Sequence, residues 1–261
     1  MKRLFTFGCS HTQHDWPTWA HILSLGFDEF YNFGKAGTGD FRILNQVMRA
    51  NEHFKFTNND YVAIALSCNF RYDIIEDVAT PHPTWVSLGS MLDDNYHKTD
   101  FQKFLNNYGG YENKLTIIKS LKNIFKNTDN VNHKIFSAFE IDYPSMDKDT
   151  AIEYAYYLDS PISLEGISNS YKNYEHTYFL KPNNTPTTLP IPDGHFIIPI
   201  HLRLIKDIFS DWYDDENDKM VWEWEESISD NVPALNKTFK WMQDSSFEFI
   251  GNRLTKNNLI K

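Results

Sequence analysis

The sequence predicts an α/β fold built on a largely parallel sheet. Two observations carry that expectation. Short apolar runs end at glycine or a small polar residue, and each is followed by apolar residues at helical spacing. Leu4 to Phe7 ends at Gly8, and 19–25 (WAHILSL) then has the spacing of a helix. Phe30 to Phe33 runs into Gly34, Gly37 and Gly39, after which Phe41, Leu44, Val47 and Met48 mark a second helix and its apolar face. After the turn signal Asn58-Asn59-Asp60, Tyr61 to Leu66 is nearly all apolar, as expected of a central strand covered on both faces. Leu115, Ile118, Leu121, Ile124 and Phe125 share one helical face, His133 to Phe139 reads as a fourth strand, and Ile197, Ile200, Leu204, Ile205 and Ile208 as a further helix.

Two long stretches break this rhythm. Residues 70–112, with Pro81, Pro83 and Gly89, are too long for an ordinary connection and read as an inserted loop or lid. Residues 160–192 are polar and proline-punctuated, and are expected to wrap the surface before Asp193-Gly194-His195. The expected division is therefore an α/β domain over 1–210 and an acidic, Trp-rich extension over 211–261. In that extension Trp212, Trp222 and Trp224 sit among carboxylates with Lys219 the one base before Glu226. A solvated acidic face with tryptophans packed on the core is the simplest account of it, and a docking element for a protein partner the alternative.

Composition limits function. The chain has 261 residues, 41% hydrophobic and 16% aromatic, which excludes disordered and low-complexity classes. Its 25 Lys and Arg against 35 Asp and Glu give a net charge of −10, which disfavours nucleic acid as a partner. Two cysteines, Cys9 and Cys68, are too few for a disulfide framework, and no run approaches a transmembrane span or a signal h-region. A cytoplasmic protein is expected, with no membrane association.

Ser10, in Gly8-Cys9-Ser10-His11, follows a strand and precedes a helix, where backbone N–H groups can stabilise negative charge. Gly37 and Asn69 lie just beyond the next two strands, and in a parallel sheet all three positions fall at the carboxyl edge, where ligands bind. Asp193 and His195 offer a carboxylate and a base to complete a Ser–His–Asp arrangement. His201, six residues on, is the alternative base. Arg71, close to Asp73, is a candidate for an acidic or hydroxyl group of a substrate or for a surface salt bridge, and Trp16, Trp19 and Trp85 for a sugar-stacking wall or for core packing. Cys9, His11, His14 and Cys68 are donors of suitable softness for zinc, but their spacing matches no standard finger pair, and neither metal nor cofactor is expected.

This order of blocks resembles the SGNH/GDSL hydrolase superfamily over roughly residues 3–210: Ser10 after the first strand, Asn32-x-Gly34-x-x-Gly37 after the second, Ser67-x-Asn69 after the third, and Asp193-x-His195 before the last helix. The serine block Gly-Cys-Ser-x-Thr followed by Trp16-Pro17-Thr18-Trp19 looks like a subset common in phage and environmental genomes. The resemblance implies a flavodoxin-like three-layer α/β/α sandwich. It also implies a serine ester hydrolase with Ser10 as nucleophile, His195 as base, Asp193 as its orienting carboxylate, and Ser10, Gly37 and Asn69 as the oxyanion hole. The substrate class it implies is a small acyl ester, an acetylated carbohydrate foremost. The alternative is a catalytically silent binding or structural module, virion-associated if the source is viral. The chain departs from the family pattern at Cys9, where Asp is usual, at Ser67, where Gly is usual, at Phe70, where Asp is usual, and in the two-residue step from Asp193 to His195, where three is usual.

Overall fold

The computed structural model describes residues 1–14, 16–68, 71–77, 84–88, 110–128, 131–141, 143–170, 177–180, 191–230 and 252–255. Four parallel strands, β1 (Arg3–Gly8), β2 (Glu29–Gly34), β3 (Asp60–Leu66) and β6 (Asn132–Ser137), lie in the order β6-β3-β1-β2. Their register runs Gly8 opposite Gly34, Phe7 opposite Ile64, and Leu66 opposite Ser137, so the carboxyl ends of all four strands share one edge. A further strand, β9 (Asn252–Thr255), pairs antiparallel with β2. This is a flavodoxin-like α/β fold.

The pleat sorts alternate residues of each strand into two cores. Leu4, Phe30, Ala63, Ala65 and Phe136 face the helices α1 (Trp19–Ser24) and α6 (Ile198–Ile208). Phe5, Phe7, Tyr31, Phe33, Val62, Ile64 and Leu66 face α2 (Asp40–Phe54), α3 (Gly110–Lys126) and α4 (Lys148–Tyr157). Opposed aromatics stack across β1 and β2, Phe5 on Tyr31 at 4.8 Å and Phe7 on Phe33 at 4.7 Å between ring centroids. Among the described residues no helix is long and apolar enough to cross a membrane.

Four expectations are corrected or gain detail. The apolar face expected for α2 is rotated: Ile43, Val47 and Ala50 are buried, while Phe41 is 53% and Met48 44% exposed. Asp40 turns inward to accept the Ser67 amide at 2.6 Å, and Ile43, Val47 and Ala50 follow it along the same stripe. The insertion over 70–112 contains a β-hairpin, β4 (Tyr72–Asp77) with β5 (Thr84–Leu88). The stretch 160–192, expected to wrap the surface, holds α5 (Leu164–Ser170) and β7 (Thr177–Leu180). β7 pairs with β8 (Ile191–Phe196) through Ile191, Pro192 and Phe196, and the register shifts between Pro192 and Phe196, so Asp193-Gly194-His195 forms an irregularity within a strand. Helix α4 went unread, although Asp147 announces it by accepting from the Asp149 and Thr150 amides.

Apart from β9, the described part of the extension is mainly helical. α7 (Asp218–Asp230) places Val221 in the first core, with Trp212 and Trp224 packed against that core and Trp222 47% exposed. Lys206 of α6 pairs with Asp218, and Lys134 of β6 with Asp211, tying the acidic stretch back to the sheet.

At the opposite edge of the sheet, Arg3 grips Asp60 in a bidentate pair, Nε to Oδ1 at 2.6 Å and the guanidinium to Oδ2 at 2.7 Å. The Asp60 carboxylate also accepts the Thr57 amide at 2.7 Å and is fully buried. Asp60→Ala is expected to lower the unfolding free energy by about 3 kcal/mol, because it strands the guanidinium and the Thr57 amide together. Urea unfolding of the two proteins measures this.

Candidate active site

The loop after β1 turns at once. The Thr12 and Gln13 amides donate to the Cys9 carbonyl at 2.9 and 3.3 Å, folding Ser10 and His11 back over the strand ends. Gly34 at the end of β2 makes room for this: a Cβ there would lie 2.8 Å from that of Gln13. Asn32 then pins the loop to the sheet. Its amide donates to the Thr12 carbonyl at 3.1 Å and to Gln13 Oε1 at 2.7 Å, while its oxygen accepts from Thr6 at 3.1 Å and from the Gly34 amide at 2.9 Å. Thr18 Oγ1 adds a second donor to the Thr12 carbonyl at 2.7 Å.

Ser10 is 6% exposed, and its hydroxyl makes no hydrogen bond among the described residues. It does not sit at a helix N-terminus as expected. α1 starts only at Trp19, because Pro17 disfavours helix before it, and Thr18 caps the helix with the His21 ring at its N3 position. Cys9 is wholly buried, and burial raises its thiol pKa, which makes it an inert packing group.

At the neighbouring crossing, Lys35 to Thr38 form a β-turn closed by the Thr38 amide on the Lys35 carbonyl at 3.2 Å. Gly37 occupies its third position with φ of 75°, the left-handed value that a type II turn requires. A Cβ at Gly37 would meet nothing within 4 Å, so the turn faces open space. Its N–H donates to no group among the described residues. Lys35 bonds back to the Gly8 carbonyl at 3.0 Å, holding this turn beside the Ser10 loop.

The third crossing is held by charge. Ser67 gives its amide to Asp40, its carbonyl accepts from Lys114, and its hydroxyl accepts from Arg71 at 3.1 Å. Asp40 and Lys114 lie 3.5 Å apart, with 8% and 2% of their side chains exposed. Burial raises the Asp40 carboxyl pKa, against the opposing pull of Lys114 and the Ser67 amide. Asp73 is buried with them and caps α2, accepting the Gly39 and Arg42 amides at 2.9 and 2.8 Å. The Lys114 signal was present in the sequence as a basic residue four before Ile118 and seven before Leu121, on the apolar stripe of α3.

The expected site residues are distributed as follows. Ser10 and Gly37 lie side by side at the carboxyl edge. Asn69 falls outside the described residues, as do the side chains of Asp193 and Trp85. His195, near the end of β8, is brought to the Ser10 loop: its ring lies 5.0 Å from that of His11 and stacks on His14 at 3.7 Å. Arg71 donates through one guanidinium nitrogen to the Thr38 carbonyl at 3.4 Å and to Ser67, joining the second and third crossings, while its Nε makes no hydrogen bond among the described residues. Trp16 is fully buried and donates to the Phe196 carbonyl at 3.0 Å, and Trp19 is buried against Phe136 and Phe209, so neither presents a face for sugar stacking. His201 is 1% exposed, and burial lowers its pKa to about 3, which makes it a packing residue of α6 rather than a base at the site. Among the described residues no three His, Cys, Asp or Glu side chains are arranged to hold a metal ion.

Comparison of the chain with protein-family models, with curated proteins and with solved structures returns no match.

Two outcomes are expected from the buried groups. Lys114→Ala strands the Asp40 carboxylate and should cost about 3 to 5 kcal/mol, of which the double variant Asp40→Asn/Lys114→Met recovers a large part; a double-mutant cycle by chemical unfolding reads the coupling. His21 and His201 are each held near 3 in the folded protein against an ordinary 6.5. The unfolded chain therefore binds the extra protons first, so stability is full above about pH 6.5 and falls as pH drops towards 3. His201→Leu should flatten that loss in urea midpoints measured from pH 7 to pH 4.

Proposed function

We propose that this protein is a serine ester hydrolase of the SGNH/GDSL type, acting on small acyl esters and foremost on acetyl groups of a carbohydrate. The observation that carries this reading is the approach of His195, from a distant hairpin, to the loop that bears Ser10. The Ser10 hydroxyl and Gly37 N–H, at the same edge and without a hydrogen bond among the described residues, support it. The free thiols of Cys9 and Cys68 suit the cytoplasm, where we place the enzyme.

In this mechanism His195 accepts the Ser10 proton as Oγ attacks the ester carbonyl carbon. The Ser10 and Gly37 amides and the Asn69 side chain donate to the oxyanion that forms. Protonated His195 then gives its proton to the departing alcohol, and an acyl-serine remains. Water, deprotonated by His195, attacks the acyl carbon and frees the acid and Ser10. Asp193 fixes the His195 tautomer and stabilises the imidazolium. The groups around Ser67 act indirectly: by gripping three of its atoms they hold the stretch that leads to Asn69.

A second reading, a non-catalytic SGNH-like module that docks through its acidic extension, is favoured by the 47% exposure of Trp222 on α7. Hydrolysis of p-nitrophenyl acetate separates the two. Wild type should turn the ester over, and Asn69→Ala should slow it by about a hundredfold or more through loss of one oxyanion donor. Ser10→Ala should abolish activity while its circular dichroism stays that of the folded protein. Equal background rates for wild type and Ser10→Ala would reject the esterase and leave the docking module.

A further inference from the structure

Strands β2 and β3 are not neighbours. β1 lies between them, so the crossing that carries Gly37 and the crossing after β3 stand on either side of the end of β1. The sheet ladder cannot tie them to each other there. Arg71, the residue before β4, does so with its side chain. Its Nη1 donates to the Thr38 carbonyl at 3.4 Å and to the Ser67 hydroxyl at 3.1 Å. The two N–H bonds of one planar guanidinium nitrogen diverge in a fixed plane, so the two acceptors are held at a set separation. The Arg71 amide also bonds back to the Cys68 carbonyl at 3.3 Å, which ties down the chain on both sides of Asn69.

Thr38 is held through its backbone. It is 1% exposed, yet its hydroxyl has no hydrogen-bond partner among the described residues. The peptide that follows it is gripped at both ends of its dipole, the carbonyl by Arg71 and the Gly39 N–H by Asp73 at 2.9 Å. Asp40 also spans the gap, to the Ser67 amide, but from the first turn of α2, whereas Arg71 reaches the Gly37 turn itself. The guanidinium charge bears on the same place. Burial raises the Cys9 thiol pKa and Arg71 pulls it down; burial lowers the His11 pKa, and Arg71 adds to that after the neighbouring histidines. Cys9 and His11 flank Ser10, so the field of Arg71 is felt on both sides of it.

We propose that Arg71 is a positioning residue for the oxyanion hole: across the end of β1 it holds the Gly37 turn and the chain on either side of Asn69 at a fixed spacing. Donors stabilise an oxyanion only where they are placed for it, and a displacement on the order of 1 Å can cost about a hundredfold in rate. Such donors are felt in kcat more than in KM, since they act on the tetrahedral intermediate and not on the bound ester. This catalytic consequence rests on the hydrolase reading; the tie between the two crossings does not.

The test uses the full chain with Arg71→Met and Asn69→Ala, singly and together. Arg71→Met keeps an unbranched stem and removes the donors and the charge. Its kcat for p-nitrophenyl acetate should fall about tenfold or more with KM little changed. In that background Asn69→Ala should cost about tenfold less than in wild type, because the amide it removes is no longer in place. Amide hydrogen exchange is read alongside: the Thr38 N–H, which closes the Gly37 turn on the Lys35 carbonyl, should exchange about tenfold faster in Arg71→Met. Unchanged Thr38 exchange overturns the inference whatever the activity, and so do kcat losses that multiply independently in the double variant. Faster Thr38 exchange in a protein that hydrolyses no ester upholds the tie and removes the hydrolase reading with its catalytic consequence. If Arg71→Met does not fold, Ser67→Ala takes its place: it removes one acceptor from Nη1 and leaves the charge. Thr38 exchange should then rise and kcat fall by smaller factors, and no movement in either overturns the inference.

Discussion

A sheet covered on both faces leaves its backbone polar groups and its chain crossings to be satisfied at the strand ends, and the carboxyl edge of this protein is organised around that constraint. Three side chains do most of it. Asn32 ties the first crossing to the second, and Asp73 caps the helix that leaves the second. Asp40, with Lys114 as its counter-charge, holds the third by the Ser67 amide. The three crossings are in this way one hydrogen-bonded body. Ser10 and the Gly37 N–H lie at this edge and take no part in it among the described residues.

The burial of Asp40, Lys114 and Asp73 has a cost that packing alone would not justify. An apolar set of the same volume would hold α2 and α3 against the sheet equally well. It would not hold a strand-end carbonyl and amide in fixed directions. The polar set specifies where the crossings point, which a site with donors at set positions needs and a core does not.

The sheet was legible in the sequence because three of its four parallel strands are short apolar runs and helical spacing recurs after each along the chain. Agreement failed where a polar residue belongs to the interior. Asp40 rotates α2 away from the face that Phe41, Leu44, Val47 and Met48 suggest, since a buried carboxylate with a fixed amide partner outweighs two exposed apolar side chains. Strand β8 was hidden because Pro192, Asp193 and Gly194 are turn formers, and the strand pairs with β7 only towards its two ends. Of the site, the positions of Ser10 and Gly37 follow from motif and fold together. His14 was read only as a donor for zinc, because stacking between a loop residue and one more than 180 positions away leaves no local trace. Of the two readings of Trp16, sugar stacking and core packing, its full burial supports the second, and its indole N–H adds a bond to the Phe196 carbonyl.

Strand β9 draws one more consequence from the topology. It lies antiparallel along β2, on the side that β1 leaves open. During synthesis β2 emerges early and its partner very late, so for most of translation that flank presents unpaired N–H and C=O groups beside the stacked rings of Tyr31 and Phe33. The nascent chain must shield this flank until residues 252–255 arrive. Residues 252–255 thus decide when the β2 flank stops being adhesive.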